Sequence, residues 1–170
     1  MRSLFRDADL PEADLDARVL VAEALEIEPR NLILQYDQEV SPEVLSVVSG
    51  WVEERLAGKP VGRVLGKREF WGLEFLLSPA TLEPRPDTET LVEATLAFCQ
   101  AHGGLDKPWV FADIGTGTGA IAIALLSELP NAICVAVDIS EEALETARKN
   151  AANNSVLERF IPVRGPIWMR

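Results

Sequence analysis

Apolar positions along this chain change their period near residue 70. Before it they recur at helical spacing: Leu15, Val19 and Ala22 form one set, and Leu20, Ala24 and Ile27 a second. Pro29 ends that run. Ser41-Pro42 predicts a second helix, because serine can cap free amides and proline suits the first helical position. Val44, Val47, Val48, Trp51 and Val52 then make one apolar stripe, expected to be core, and Gly58 stops it. A small helical bundle is the expectation for this part.

From Lys67 to Leu82 the pattern becomes that of strands. Phe70, Trp71, Leu73 and Phe75 are strand-prone, and Gly72 sits where a hairpin turn would go. A short β-ribbon acting as a connector is expected. The run Pro84-Arg85-Pro86-Asp87 is a stiff turn, and a helix is expected from Thr88 to His102. Strand and helix then alternate. Trp109–Ile114 reads as a buried parallel strand, Gly119–Leu129 as a helix stopped by Pro130, and Ala132–Val137 as a second buried strand. Ser140 caps a helix with Glu141 and Glu142 in its first turn and Arg148 and Lys149 placed in its last, matching the helix dipole. Phe160–Val163 is a third strand. This order implies an α/β fold with a parallel sheet and right-handed crossovers. The expected divisions are a helical domain over 1–68, a ribbon linker over 69–86 and a partial α/β domain over 87–170.

Composition narrows the classes. Of 170 residues, 48% are hydrophobic and 25% charged, the balance of a soluble globular protein. The net charge of −11 argues against non-specific nucleic-acid binding, which needs a basic footprint, and against anionic membrane surfaces. No apolar run reaches the roughly 18 residues that a membrane helix needs, and the first ten residues turn acidic too early for a signal peptide. A cytoplasmic location follows by default. Cys99 and Cys134 are not spaced as metal ligands and read as core residues. With His102 the only histidine, a histidine-rich metal site is excluded, and no metal site is expected.

The sharpest chemical signal is Asp113-Ile114-Gly115-Thr116-Gly117-Thr118-Gly119, at a strand-to-helix junction. Glycines there let the backbone turn tightly and let a ligand approach the main chain. Open α/β sheets bind ligands at the carboxyl ends of their strands. Asp138 ends the next strand, where a carboxylate can accept from both hydroxyls of a ribose. Gly115, Gly117 and Ala120 also fit the dinucleotide fingerprint. Asp113 tilts the choice, since a carboxylate suits the ammonium group of S-adenosylmethionine (SAM) and is unwelcome beside a pyrophosphate. Glycine at every second position after that aspartate is also the pattern common to SAM-dependent methyltransferases. The cofactor candidates are therefore Asp113, Gly115, Thr116, Gly117, Thr118, Gly119 and Asp138.

Three stretches together are more specific: Arg55 to Glu93, with its Pro-Arg-Pro-Asp-Thr-Glu run, Ala112 to Pro130, and Val135 to Asn154. They resemble the bacterial release-factor glutamine methyltransferase family (HemK/PrmC type) over nearly the whole chain. The resemblance implies a helical substrate-recognition domain, a β-hairpin linker and the first half of a Rossmann-like SAM-dependent domain. It implies methyl transfer to the glutamine side-chain amide in the Gly-Gly-Gln loop of class 1 peptide chain release factors.

The chain departs from that pattern in three places. Glu83 stands where the family has an apolar residue, and Arg63 where an aromatic one is common. The catalytic Asn-Pro-Pro-Tyr segment is absent from these 170 residues, whose only tyrosine is Tyr36. Trp168 is a candidate aromatic near the adenine. In the family the asparagine side chain and a proline carbonyl orient the glutamine amide toward the methyl group, which is catalysis by positioning. No catalytic residue is assigned here, and the chain alone is expected to be inactive. A non-catalytic release-factor-binding fragment and a nicotinamide-dependent oxidoreductase are the alternatives. Two groups have a bland reading as well. Arg85, Asp87 and Glu89 either line a site or hold a turn. Arg55, Lys59, Arg63, Lys67 and Arg68 either touch a partner or face solvent.

Overall fold

A computed structural model describes residues 1–35 and 39–166. Tyr36 and Trp168 lie outside the described residues. The chain forms two compact units, Met1–Leu65 and Gly66–Arg170.

The first unit is helical: α1 Arg2–Asp7, α2 Ala13–Ala24, a 3-10 segment Pro29–Gln35, α3 Pro42–Leu56 and α4 Val61–Leu65. Its core is Phe5, Ala13, Ala17 and Leu20, with Trp51, Val52, Val61 and Val64 packed against it. The apolar spacing predicts the buried face of α2 only in part: Leu20 and Ala22 are buried as expected, but Leu15 is not. Leu15 is 52% exposed, while Asp16 is buried between Ala13 and Ala17. The reason is Arg55 of α3, whose Nε donates to Asp16 Oδ2 at 2.8 Å, so the buried carboxylate has its countercharge. Helix α2 also ends at Ala24, leaving Ile27 outside it. Ser41 caps α3 as expected, accepting from the Val44 N–H at 3.4 Å. The stripe on α3 is not full core, however. Val44, Val48, Trp51 and Val52 are half-buried and Val47 is exposed.

The second unit opens with an antiparallel ribbon, β1 Lys67–Phe70 and β2 Leu73–Leu76. Trp71 and Gly72 form the two-residue turn with φ of 56° and 69°, the left-handed pair that matches strand twist. The ribbon is more than a connector, because Phe70 and Phe75 meet edge to face and are buried in this unit's core. Its turn is held from both sides. Trp71 donates its backbone N–H to Glu89 and its indole N–H to Glu128, each at 2.9 Å.

After a 3-10 turn at Pro86–Thr88 come α5 Glu89–Ala101, β3 Val110–Ile114, α6 Ala120–Glu128, β4 Ile133–Asp138, α7 Glu141–Asn153 and β5 Phe160–Arg164. The strands are parallel in the order β3-β4-β5, with Asp113 opposite Ala136 and Asp138 opposite Arg164. The predicted α/β alternation is therefore present. Strand β3 is not the fully buried strand its apolar run suggests. It lies at a sheet edge among the described residues, so Val110 and Ile114 are 71% and 50% exposed. The core lies under α6 and α7, where Ile123, Leu126, Leu129, Cys134, Ala147 and Phe160 are buried. Cys99 and Cys134 are both free and buried. Arg159 closes the end of α6, donating to the carbonyls of Leu126, Leu129 and Ala132 at 2.7, 2.7 and 3.2 Å.

Helix α7 runs four residues longer than its basic pair suggests. Arg148 and Lys149 therefore sit inside the helix and not in its last turn, and Arg148 pairs with Glu141 at 3.1 Å. The same helix presents a polar row to the ribbon. The Thr146 hydroxyl bonds that of Ser78 just past the ribbon, Asn150 bonds Leu76, and Asn154 donates to the Glu74 carbonyl. One helical turn of four residues rises about 6 Å and two strand residues about 6.6 Å, so each turn meets alternate strand residues.

Candidate functional site

The β3–α6 loop and the end of β4 meet at the carboxyl edge of the sheet. The Val137 carbonyl accepts from both Gly115 and Thr116 N–H, at 2.8 and 3.0 Å. Asp138 Oδ2 accepts from Gly117 N–H at 2.9 Å, and its Oδ1 from Ser140 N–H at 3.0 Å. Gly119 donates to the Thr116 carbonyl at 2.8 Å. Asp113 accepts from the Thr116 hydroxyl at 2.7 Å. Six of the seven sequence candidates therefore share one set of bonds, and Thr118, which is buried, lies between two of them in the chain. Asp138 thus ties the glycine loop to the entry of α7.

The three glycines have different jobs. Gly115, Gly117 and Gly119 all have positive φ, at 80°, 56° and 81°. A Cβ on Gly115 would meet nothing within 4 Å, and one on Gly117 only the Gly115 carbonyl at 4.0 Å. These two face open space. A Cβ on Gly119 would lie 2.9 Å from Ile123 Cδ1 and 3.3 Å from Ala147 Cβ, so this glycine lets α6 pack on α7.

Burial pushes the Asp113 carboxyl above its ordinary range, against the Thr116 hydroxyl and the Ala122 N–H, which pull it down; the charge of Asp138 adds to the rise. The Cys134 thiol is pushed up to about 12 by burial first and then by Asp113.

One residue of the site escaped the sequence reading. Asn150, fully buried on α7, donates through Nδ2 to the Thr118 carbonyl at 2.9 Å. Its signal was available: it occupies a place in the row Ala143, Leu144, Ala147 and Ala151 where helical spacing calls for an apolar side chain.

Several of the other candidates have partners within the chain. Glu89 holds the ribbon turn. Arg55 pairs with Asp16, Lys59 with Glu54, Lys67 with Glu74 and Arg68 with Glu83. The unusual Glu83 is thus matched by Arg68, at 3.0 Å. His102 caps its own helix, its Nδ1 2.8 Å from the Phe98 carbonyl. Among the described residues no three His, Cys, Asp or Glu side chains are grouped to hold a metal, and no helix is long and apolar enough to cross a membrane.

Comparison with known proteins accounts for both units. Residues 1–66 match the PrmC N-terminal domain, and residues 105–159 match a methyltransferase domain. The release factor glutamine methyltransferase of Bradyrhizobium diazoefficiens is 47% identical over 154 residues, covering 91% of this chain and 52% of that protein. The protein of the same name from Agrobacterium fabrum is 40% identical over 163 residues, covering 96% of this chain and 56% of its own length. The chain thus spans about half the length of the curated relatives it matches. Two domain matches in the expected order, with this identity across both, make the chain similar to the release factor glutamine methyltransferases over both of its units.

Proposed function

We propose that this chain is the SAM-binding part of an enzyme that methylates the glutamine side-chain amide in the Gly-Gly-Gln loop of class 1 peptide chain release factors. One observation carries the cofactor assignment: two glycines opening onto free space between carboxylates at the ends of adjacent parallel strands. The residues present fit the group. An ionised carboxylate offers about four acceptor positions, so Asp138, with one N–H on each oxygen, retains capacity for two ribose hydroxyls. Asp113 supplies negative charge toward the ammonium group, and a cation beside it would lower its raised pKa. Thr116, Thr118 and the glycines supply the surrounding backbone. When bound, SAM contributes an activated methyl group on a sulfonium sulfur.

Transfer also requires groups that orient a poorly nucleophilic amide nitrogen, and these 170 residues contain no Asn-Pro-Pro-Tyr segment to do so. The chain is therefore assigned binding without turnover. The helical unit is assigned to the release factor, and the location is cytoplasmic, with neither nucleic acid nor membrane as a direct partner. The relatives' names support the release factor as the substrate.

Calorimetric titration of SAM and NAD side by side tests the cofactor. Binding of SAM that is lost in Asp138→Ala is the expected result. Binding of NAD alone would replace the reading with the dinucleotide one, and binding of neither would remove it. Incubation with a release factor and labelled SAM should yield no methylation, and robust transfer would overturn the inactive assignment. Co-purification with a release factor, lost on deleting residues 1–65, tests the partner.

A further inference from the structure

The loop is tied to a part of the unit that carries none of the cofactor candidates. Asn150 Oδ1 accepts from the Leu76 N–H at 2.8 Å, while its Nδ2 donates to the Leu76 carbonyl at 3.1 Å and to the Thr118 carbonyl at 2.9 Å. The amide therefore completes both backbone groups of a strand residue and one of the glycine loop. It is fully buried, so no water can replace it. The peptide between Thr118 and Gly119 is fixed at both polar atoms, its carbonyl by Asn150 and its N–H by the Thr116 carbonyl. That peptide leads into the left-handed Gly119 that starts α6.

We infer that Asn150 is a positioning residue that sets the exit of the cofactor loop and couples it to the β1–β2 ribbon. This rests on the SAM-binding reading for its ligand, but the coupling itself does not need one. Losing the donor frees the Thr118 carbonyl inside the protein, where an unmet acceptor is costly. The peptide then rotates, and Gly119, Thr116 and the helix start move with it. Asn154 grips Glu74 of the same ribbon, and Thr146 grips Ser78 just beyond it, one turn away on either side; neither bonds the loop, and Asn154, which also donates to the Asn150 backbone carbonyl, serves as the internal control.

The test compares wild type, Asn150→Asp, Asn150→Ser and Asn154→Ala in the 170-residue chain. Amide exchange is measured without ligand, and S-adenosylhomocysteine affinity by calorimetry. Both Asn150 variants should expose the Gly119 and Ile123 amides together with Leu76, and weaken S-adenosylhomocysteine about tenfold, as expected for one buried hydrogen bond. Asn154→Ala should alter only the ribbon. In Asn150→Asp the affinity ratio to wild type should recover as the pH falls, because a protonated carboxyl regains one donor; Asp113 is common to both proteins and cancels. In wild type, added S-adenosylhomocysteine should raise protection of the Leu76 amide, an arm that needs no variant to fold.

Unchanged loop amides in the Asn150 variants, or equal loop exposure in Asn154→Ala, would overturn the coupling. Exposed loop amides with unchanged affinity, or a pH-independent ratio, would overturn the role toward ligand. If wild type binds no S-adenosylhomocysteine, the proposed function fails, and the ligand-free exchange still decides the coupling.

Discussion

Replacing Gly119 by alanine separates the packing glycine from the open ones. At φ of 81° a residue with a Cβ adopts the left-handed conformation, which costs roughly 1–2 kcal/mol. The new methyl would also lie 2.9 Å from Ile123 Cδ1, 3.3 Å from Ala147 Cβ and 3.5 Å from Phe160 Cε2. The isoleucine methyl can swing aside. Ala147 Cβ cannot move without moving α7. Overpacking of this kind typically costs about 1–3 kcal/mol, so Gly119→Ala should destabilise the second unit by about 2–5 kcal/mol. Gly115→Ala shares the backbone conformation, with φ of 80°, but meets nothing within 4 Å. Its cost should stay near the backbone term alone, roughly 1–2 kcal/mol. The assay is urea unfolding read from exchange of the α6 amides, because a whole-chain signal would mix two units. If Gly119→Ala costs no more than Gly115→Ala, the close approach of α6 and α7 is not what demands this glycine.

Three further outcomes follow from the same geometry. Because burial raises the Asp113 pKa above 3.8, the folded protein binds this proton at a higher pH than the unfolded chain. The stability so gained is full below 3.8 and is lost as the pH rises through the folded value. Asp113→Asn should therefore gain on wild type in urea midpoints as the pH is raised, and a constant difference from about pH 4 to 7 would contradict the assignment. Arg55→Met leaves the Asp16 carboxylate buried without a countercharge and should cost about 3–5 kcal/mol, with part recovered in the Asp16→Asn/Arg55→Met double variant. Exchange of the α2 amides measures this, and purely additive losses would refute the pairing. Cys134, with its thiol pushed up to about 12, should resist iodoacetamide at pH 8 until urea unfolds the unit. Native-state labelling at the rate of a free thiol would show that it is not buried as described.

What could be read from the residues alone was whatever depends on near neighbours. The ribbon turn was legible because Gly72 lies between strand-prone residues, and the cap of α3 because serine and proline act on amides only a few residues away. The glycine loop was legible for the same reason, with its strand before it and its helix after it. What failed needed a distant partner. Asp16 looks like a solvent residue until Arg55, on another helix, neutralises it. Leu15 then loses the inward face it would otherwise take. Asn150 reads as the polar end of a helix until Leu76 and Thr118 consume its amide. Strand β3 reads as buried because apolar runs record what a strand can tolerate, whereas its burial depends on what lies beside it.

The loop itself illustrates how local pattern and distant partner combine. Its letters specify only that the chain can turn. Its shape is held by one bond from outside or across the loop at every position from Gly115 to Gly119. The Val137 carbonyl takes the first two amides and Asp138 takes the Gly117 amide. Asn150 takes the Thr118 carbonyl, and the Thr116 carbonyl takes the Gly119 amide. A loop anchored at five successive residues has little freedom left to lose when a ligand arrives, so less of the binding free energy is spent on ordering it. The anchors come from β4, from α7 and from the loop's own Thr116, all within the second unit. The shape of the proposed cofactor loop is therefore held within that unit by bonds that need no ligand.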